Sequence, residues 1–238
     1  MRVDNRIVEI DVLRGIAIVL MIIYHFLFDL NYFNLVKIDL EWLPVVIFQR
    51  IIGIMFLGLV GISLVISENR NKEGYQKHFR RALKLAGVAI LITVATWIYP
   101  HQDFITFGII HMIALSTLIA PFFFKFGKWN IVFGIVVIGL GLIAGTMSSN
   151  STILFWLGIV YPGYTALDYY PMLPWFGIVL LGIFVGQLLV KKVERVETRI
   201  DRSVVKEKLA SLGRNSLAIY LVHQLVLIGA ILLLKSRF

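Results

Sequence analysis

The chain has 238 residues, of which 59% are hydrophobic and 16% are charged, and its mean hydropathy is +0.86. Soluble domains average about 45–50% apolar and about 25% charged residues, so this composition excludes an ordinary soluble domain and indicates a polytopic membrane protein. The net charge of +9 does not predict a nucleic-acid partner, because the basic residues gather in a few loops. The absence of Cys excludes disulfides, thiolate metal ligands and Cys nucleophiles.

Apolar stretches follow one another along the whole chain, which predicts an all-α helical membrane bundle in one domain, residues 1–238. A spanning helix needs about 20 mostly apolar residues. By this measure we expect seven spans, at residues 9–33, 43–66, 81–99, 104–124, 129–147, 172–190 and 213–234. The apolar stretch 152–162 is too short to cross and is predicted to be re-entrant or interfacial. The polar stretch 191–212 is predicted to hold a short helix on the cytoplasmic surface.

The basic residues also predict the orientation in the cell membrane. With a cytoplasmic N-terminus and seven spans, 18 of the 23 Lys and Arg residues fall in cytoplasmic segments and 3 fall outside. Cytoplasmic loops of membrane proteins carry such an excess of Lys and Arg. A crossing at 152–162 would largely remove this bias, so we expect seven spans and an extracytoplasmic C-terminus.

The first predicted span, "DVLRGIAIVLMIIYHFLFDL", carries four ionisable residues that share one helical face. At 100° per residue, Arg14 and His25 return to within about 20° of each other. Asp29 lies one turn beyond His25, and Asp11 nearly one turn before Arg14. Each such group costs at least roughly 2.5–3.5 kcal/mol near mid-membrane, so the face is expected to line the bundle or a cavity.

His25 and Asp29, at i and i+4, are predicted to be the catalytic residues of this face. A hydrogen bond between them would fix the imidazole tautomer and leave the other ring nitrogen free as a base. The alternative is a buried histidine satisfied by a neighbouring helix. Clustered His residues and the HExxH motif are absent, so no metal is expected.

Two groups of basic residues elsewhere have more than one interpretation. In "KHFRRALKL", Arg80, Arg81 and Lys84 can place two or three cations on one helical turn, which suits phosphate groups, or they form an ordinary cytoplasmic flank. Arg50 lies well inside the second span. It is predicted either to pair with Asp11 or Asp29, or to contact a phosphate or carboxylate of a substrate.

The remaining candidates are polar or aromatic residues near the spans. Asp168 and Trp175 are predicted to lie at the outer surface, where an aromatic belt is the default for the ring. As residues lining the cavity or contacting an acceptor we name Arg50, His111, Asp168, Trp175, Tyr220 and His223.

Four segments together resemble a family of membrane acyltransferases. These are "LRGIAIVLMIIYHF" from Leu13, "FGIIHMIALS" from Phe107, "DYYPMLPWFGIVLLGIFVG" from Asp168 and "LGRNSLAIYLVHQ" from Leu212. In order and spacing they resemble small prokaryotic relatives of the lysosomal heparan-α-glucosaminide N-acetyltransferase, and more distantly the acyltransferase-3 group. The resemblance covers nearly the whole chain.

The resemblance implies a transmembrane acyltransferase that uses cytoplasmic acetyl-CoA, or another acyl-CoA, as donor. The acceptor would lie on the other side of the membrane, as a glycan, an amino sugar, a lipid-linked sugar or a lipid head group. His25 would act as general base or as transient acyl carrier. In the acyltransferase-3 group a paired basic motif at the start of the third span is linked to acyl-CoA. As expected acyl-CoA-binding residues we name Arg14, Arg80, Arg81, Lys84 and Asn215. Because the lysosomal enzyme is larger, its glycan acceptor is not carried over.

A transporter, flippase or proton-coupled channel is the alternative, in which the polar face of the first span forms a path for a substrate or protons. That function would favour inverted repeats and matching broken helices, which the sequence does not show, and would need no basic mouth. Expected partners are acyl-CoA, the acceptor, membrane lipids and a second copy of the chain packed through glycine-rich faces.

Overall fold

The computed structural model describes residues 7–70, 74–193 and 203–235. Within these ranges the chain is helical, with two isolated β-bridges and no strands. The helices are α1 (Val8–Tyr32), α2 (Leu43–Arg70), α3 (Tyr75–Ile98), α4 (Ile109–Ile119), α5 (Trp129–Ala144), α6 (Met172–Val193), α7 (Val204–Arg214) and α8 (Ser216–Lys235). A 3₁₀ segment, Ala120–Phe126, continues α4. The predicted all-α membrane bundle is confirmed.

Six helices in the described ranges are long and apolar enough to cross a membrane: α1, α2, α3, α4 with its 3₁₀ extension, α6 and α8. The seventh predicted span corresponds to α5, which is apolar but has 16 residues. At 1.5 Å per residue α5 is about 24 Å long, against about 30 Å for the hydrocarbon core. The count of seven is therefore six full-length helices and one shorter apolar helix.

Two predicted boundaries are shifted in the structure. Helix α3 begins at Tyr75 rather than at residue 81, so its basic residues belong to its first turns. Helix α4 begins at Ile109 rather than at residue 104, because residues 101–108 form a loop that ends at its N-cap, Gly108.

The two non-spanning stretches also take shape. Residues 152–162 contain one short 3₁₀ turn, Phe155–Leu157, and no spanning helix. The polar stretch 191–212 includes α7, although residues 194–202 lie outside the described residues. Of α7, Ala210 and Gly213 are buried whereas Glu207 and Lys208 are exposed, so the helix has one buried face and one polar face.

The chain divides into two compact units, which we describe separately. The terminal unit comprises Met1–Phe56 and Arg199–Phe238, and the central unit comprises Leu57–Thr198. That these form one domain stays a prediction.

In the terminal unit, α7 packs against α1 at two glycines. A Cβ atom at Gly15 would lie 2.0 Å from the carbonyl oxygen of Leu209, and one at Gly213 would lie 1.8 Å from that of Asp11. Both distances are far below van der Waals contact, so only glycine allows the two backbones to approach this closely. One turn beyond this crossing, Ile18, Met21 and Ile52 form a buried apolar cluster.

In the central unit, the second half of α2 packs on α6 through glycines as well. A Cβ atom at Gly61 would lie 2.2 Å from the carbonyl oxygen of Val179, and one at Gly182 would lie 2.3 Å from that of Gly58. His78 near the start of α3 is buried and contacts Glu68 near the end of α2, with 2.8 Å between Nε2 and Oε2. This pair fixes the α2–α3 hairpin that carries the basic residues of α3.

Candidate active site

Two histidines face each other in the terminal unit, one from α1 and one from α8. The ring centroids of His25 and His223 are 4.7 Å apart, and the ring planes meet edge to face at 83°. His25 is half-buried, and His223 is 8% exposed. Two imidazoles from helices almost 200 residues apart in sequence thus form one histidine pair.

Each ring is held in a defined tautomer by a backbone carbonyl of its own helix. The Nδ1 atom of His25 lies 2.9 Å from the carbonyl oxygen of Met21, and that of His223 lies 2.6 Å from the carbonyl oxygen of Tyr220. A carbonyl only accepts hydrogen bonds, so each Nδ1 carries the hydrogen and, in the neutral ring, each Nε2 carries the lone pair. Among the described residues neither Nε2 atom has a hydrogen-bond partner.

Asp29 does not pair with His25 as the helical spacing predicted. Its Oδ1 atom accepts a hydrogen bond of 2.7 Å from the side-chain amide of Gln224 on α8. The hydrogen of His25 that Asp29 would have accepted goes to Met21 instead. The Asp29 side chain is 2% exposed, and its Oδ2 atom has no partner within the described ranges.

The site therefore presents hydrogen-bond acceptors almost exclusively. Three buried acceptor atoms have no partner among the residues described: Nε2 of His223, Oδ2 of Asp29 and Oε1 of Gln224. Buried acceptors are normally satisfied, so such a set fits a ligand that supplies several N–H or O–H groups. Chemically, the two Nε2 atoms can take up a proton or attack an electrophile.

Arg14 lies on the same helix, toward its N-terminal end. Its guanidinium forms an ion pair of 3.0 Å with Asp11, one turn earlier. Asp11 is thus paired with Arg14, and Asp29 accepts a hydrogen bond from Gln224. Arg50 is exposed on α2, and its pairing with either carboxylate stays a prediction. The ionisable residues predicted on one face of α1 are present, and their hydrogen-bond and ion-pair partners could not be identified from helical spacing alone.

Asn215 and Tyr220 also belong to the terminal unit. Asn215 lies at the break between α7 and α8, exposed, and its amide donates a 2.9 Å hydrogen bond to the carbonyl of Ser211. The half-buried Tyr220 packs against the apolar cluster of Ile18, Met21 and Ile52.

In the central unit, the predicted cations of α3 line one open depression. Arg80, Arg81 and Lys84 are exposed, and with Gln76 and Lys77 they surround a volume of about 490 Å³. Lys77 also donates a 3.1 Å hydrogen bond to the carbonyl of Ser67 at the end of α2. We call this the basic depression.

His111 and Asp168 have structural contacts that the sequence did not predict. The backbone N–H of Gly108 donates to Nδ1 of His111 over 3.2 Å, and Nε2 of His111 lies 3.1 Å from Oγ1 of Thr93. Asp168 accepts a 2.8 Å hydrogen bond from the backbone N–H of Ile109 and so caps α4. Both ring nitrogens of His111 are engaged in hydrogen bonds, so neither is free to act as a base.

The predicted surface position of Trp175 is wrong. The side chain is 4% exposed, and its ring lies 4.7 Å from that of Tyr170, itself 8% exposed. These rings belong to the interior of the central unit because "DYYPMLPWF" turns into α6 here rather than running along the surface.

Sequence reasoning missed one member of the site, Gln224. A glutamine inside a 20-residue apolar helix is itself a signal, since its amide needs partners. No spacing argument could name Asp29 as the partner, because the two residues lie on helices at opposite ends of the chain. Within the described ranges, no three His, Cys, Asp or Glu side chains come together as a metal-binding group.

Comparison with known proteins identifies the family of this helical chain. No curated protein and no solved structure matches the chain. The family model described as heparan-α-glucosaminide N-acetyltransferase, catalytic, matches residues 6–225, which is nearly the whole length. The chain therefore belongs to the heparan-α-glucosaminide N-acetyltransferase catalytic-domain family, whose general activity is that of a membrane acetyltransferase.

Proposed function

We propose that the protein moves an acetyl group from acetyl-CoA to an amine on an acceptor molecule, with His25 as the reacting base or acyl carrier. The family supports acetyl transfer. The unpartnered hydrogen-bond acceptors of the site support an amine as the group that receives the acetyl. The histidine pair carries the proposal, because the two rings lie 4.7 Å apart between centroids and each neutral ring has its lone pair on Nε2.

The overall reaction converts acetyl-CoA and a primary amine into an acetamide and free CoA. In a direct transfer, Nε2 of His25 takes a proton from the amine as the amine nitrogen attacks the thioester carbonyl. The C–S bond then breaks, and this proton passes from Nε2 to the leaving thiolate to give free CoA. In a two-step transfer, Nε2 of His25 attacks the carbonyl first and releases CoA. The amine then attacks the acetyl-imidazole, and Nε2 of His223 receives its proton.

The basic depression is proposed as the site for the phosphates of CoA. Guanidinium and ammonium groups on successive turns can contact several phosphate oxygens, and Arg80, Arg81 and Lys84 are exposed for that purpose. The excess of Lys and Arg near the start of α3 favours a cytoplasmic position for this depression and for the N-terminus. The acceptor would then be extracytoplasmic.

The central experiment measures transfer of labelled acetyl groups by purified protein in proteoliposomes. An amino sugar is compared with the sugar that has a hydroxyl in place of the amine. We expect transfer to the amine and a loss of about 10²–10⁴-fold in His25→Ala, the contribution typical of a positioned base. Equal transfer to both sugars would overturn the amine acceptor, and wild-type rates in His25→Ala would remove His25 from the mechanism.

His101→Ala is the matched control for this variant. His101 is exposed in a loop, and its Nδ1 also lies close to a backbone carbonyl, 2.7 Å from that of Trp97. Replacing it removes a similarly tethered imidazole and should leave transfer unchanged. Mass spectrometry of wild-type protein with acetyl-CoA and no amine separates the two routes, because only the two-step route leaves one acetyl group on the chain.

Donor binding is tested by calorimetry with acetyl-CoA and with free CoA. The double variant Arg80→Ala/Lys84→Ala should weaken binding of both by about tenfold or more, since each lost charge-assisted contact costs about 1.5–3 kcal/mol. The control Lys125→Ala/Lys128→Ala removes the same charge from the end of the 3₁₀ segment and the N-cap of α5. Equal binding by both double variants would contradict the assignment of the basic depression.

A further inference from the structure

Asp29 and Gln224 form a hydrogen-bonded pair whose free atoms are both acceptors. The amide nitrogen of Gln224 donates to Oδ1 of Asp29 over 2.7 Å. This leaves Oδ2 of Asp29 and Oε1 of Gln224 buried and without partners within the described ranges. The hydrogen bond thus joins a carboxylate and an amide that each keep one oxygen without a partner.

The carboxylate has no ion-pair partner among the described residues. Arg14, the basic residue of α1, is paired with Asp11 and lies 15 residues away, about 22 Å along the helix axis. An ionised carboxylate buried without a cation is costly, so a cationic ligand would be strongly favoured at this position. A neutral hydroxyl offers one donor and would leave the charge uncompensated.

A primary ammonium fits the pair in charge and in number of donors. Its three N–H groups can serve Oδ2 of Asp29 and Oε1 of Gln224 and leave one N–H for a further acceptor. The histidine pair begins one turn away, since His25 precedes Asp29 by four residues, about 6 Å of helix rise. An ammonium held by Asp29 is therefore close to the histidine pair. In a direct transfer, Nε2 of His223 takes its extra proton before attack, and Nε2 of His25 takes the proton that the neutral amine loses on attack.

We propose, as an inference that rests on the proposed function, that the Asp29–Gln224 pair is the binding site of the acceptor's protonated amine. Gln224 is the residue that positions the carboxylate. Gln224 contributes twice: its amide N–H fixes the orientation of Asp29, and its carbonyl adds a second contact for the ammonium. It acts on acceptor binding and leaves the binding of acetyl-CoA unaffected.

The test is a charge swap across the pair, read as separate KM values for the amine and for acetyl-CoA. Asp29→Asn and Gln224→Leu should each raise KM for the amine about tenfold or more, with KM for acetyl-CoA unchanged. The double variant Asp29→Asn/Gln224→Glu again places one amide and one carboxylate side by side, with the charge on the other helix. It should recover KM for the amine to within about threefold of wild type.

Gln187→Leu is the control for loss of a buried amide. Gln187 on α6 donates one hydrogen bond, 2.6 Å to the carbonyl of Phe124, and its Oε1 has no described partner, as in Gln224. This variant should leave KM for the amine unchanged. No recovery in the double variant, or equal effects of Gln224→Leu on both KM values, would overturn the inference. If wild-type protein transfers no acetyl group, the proposed function itself fails, and this appears before any variant is compared.

Discussion

The crossing of α1 and α7 makes a quantitative prediction for Gly213→Ala. The new Cβ atom would lie 1.8 Å from the carbonyl oxygen of Asp11, whereas real Cβ atoms stay at least 3.0 Å from such atoms. The helices would have to separate by at least about 1.2 Å, and this part of α1 would lose contact with α7. Overpacking of this kind typically costs about 1–3 kcal/mol. At this chain length the unfolding midpoint should fall by roughly 2–12 °C.

The assay is thermal unfolding of purified protein in one detergent, with Gly229→Ala as control. Gly229 lies on α8 of the same unit with nothing within 4 Å of its would-be Cβ. That control gains helix propensity, up to about 1 kcal/mol, without a clash. The difference between the two variants isolates the crossing. A midpoint for Gly213→Ala equal to that of the control would refute the close packing of α7 on α1.

Three further predictions concern the loops of the central unit, each checked by thermal or alkaline unfolding. Asp168→Ala should cost about 0.5–2 kcal/mol, because the backbone N–H of Ile109 loses its cap. Gly108→Ala should lower the free energy of unfolding by a similar amount, because its Cβ would lie 2.3 Å from Oδ2 of Asp168. Its effect should not add to that of Asp168→Ala, and full additivity in the double variant would contradict this contact. Burial raises the pKa of Tyr169, so the stabilising effect of the neutral side chain is present below pH about 10 and is lost as the pH rises further. Tyr169→Phe should therefore unfold with less pH dependence above about pH 10. It also loses the 2.6 Å hydrogen bond from the Tyr169 hydroxyl to the carbonyl of Phe155.

The helices could be predicted from the sequence because lipid demands long apolar stretches with satisfied backbones. What the pattern missed is the exact start of helices whose caps come from distant residues. Helix α4 begins at Ile109 because Asp168, 59 residues later, accepts its first N–H. The residues near Ile109 in the sequence do not indicate that Asp168 is its partner.

The face of α1 was also predictable, since His25, Asp29 and Arg14 recur at helical spacing. Spacing along one helix could not show which neighbour takes each hydrogen bond. His25 and Asp29 are at i and i+4 and can pair, yet both have other partners: the carbonyl of Met21 for one and the amide of Gln224 for the other. The tautomer and the free atoms of the site depend on these choices.

For Trp175 the prediction rested on a general tendency of tryptophan and not on its tertiary contacts. Tryptophans near the ends of spans often lie in the interfacial belt. Here residues 168–175 lead directly into α6, and the ring is covered by its own unit. Burial of a ring is decided by tertiary contacts, which composition does not report.

The crossing of α1 and α7 at Gly15 and Gly213 also sets the register of the histidine pair. Gly15 precedes His25 by ten residues, and Gly213 precedes His223 by ten residues, so the contacts of α7 with α1 and the two rings lie at matched distances along the chain. One residue inserted into α1 between Gly15 and His25 would turn the imidazole by 100° and move it 1.5 Å, which separates it from its partner ring. We therefore expect the exposed positions Val19 and Ile23 to accept changes of side chain, whereas the stretch between Gly15 and His25 accepts no change of length.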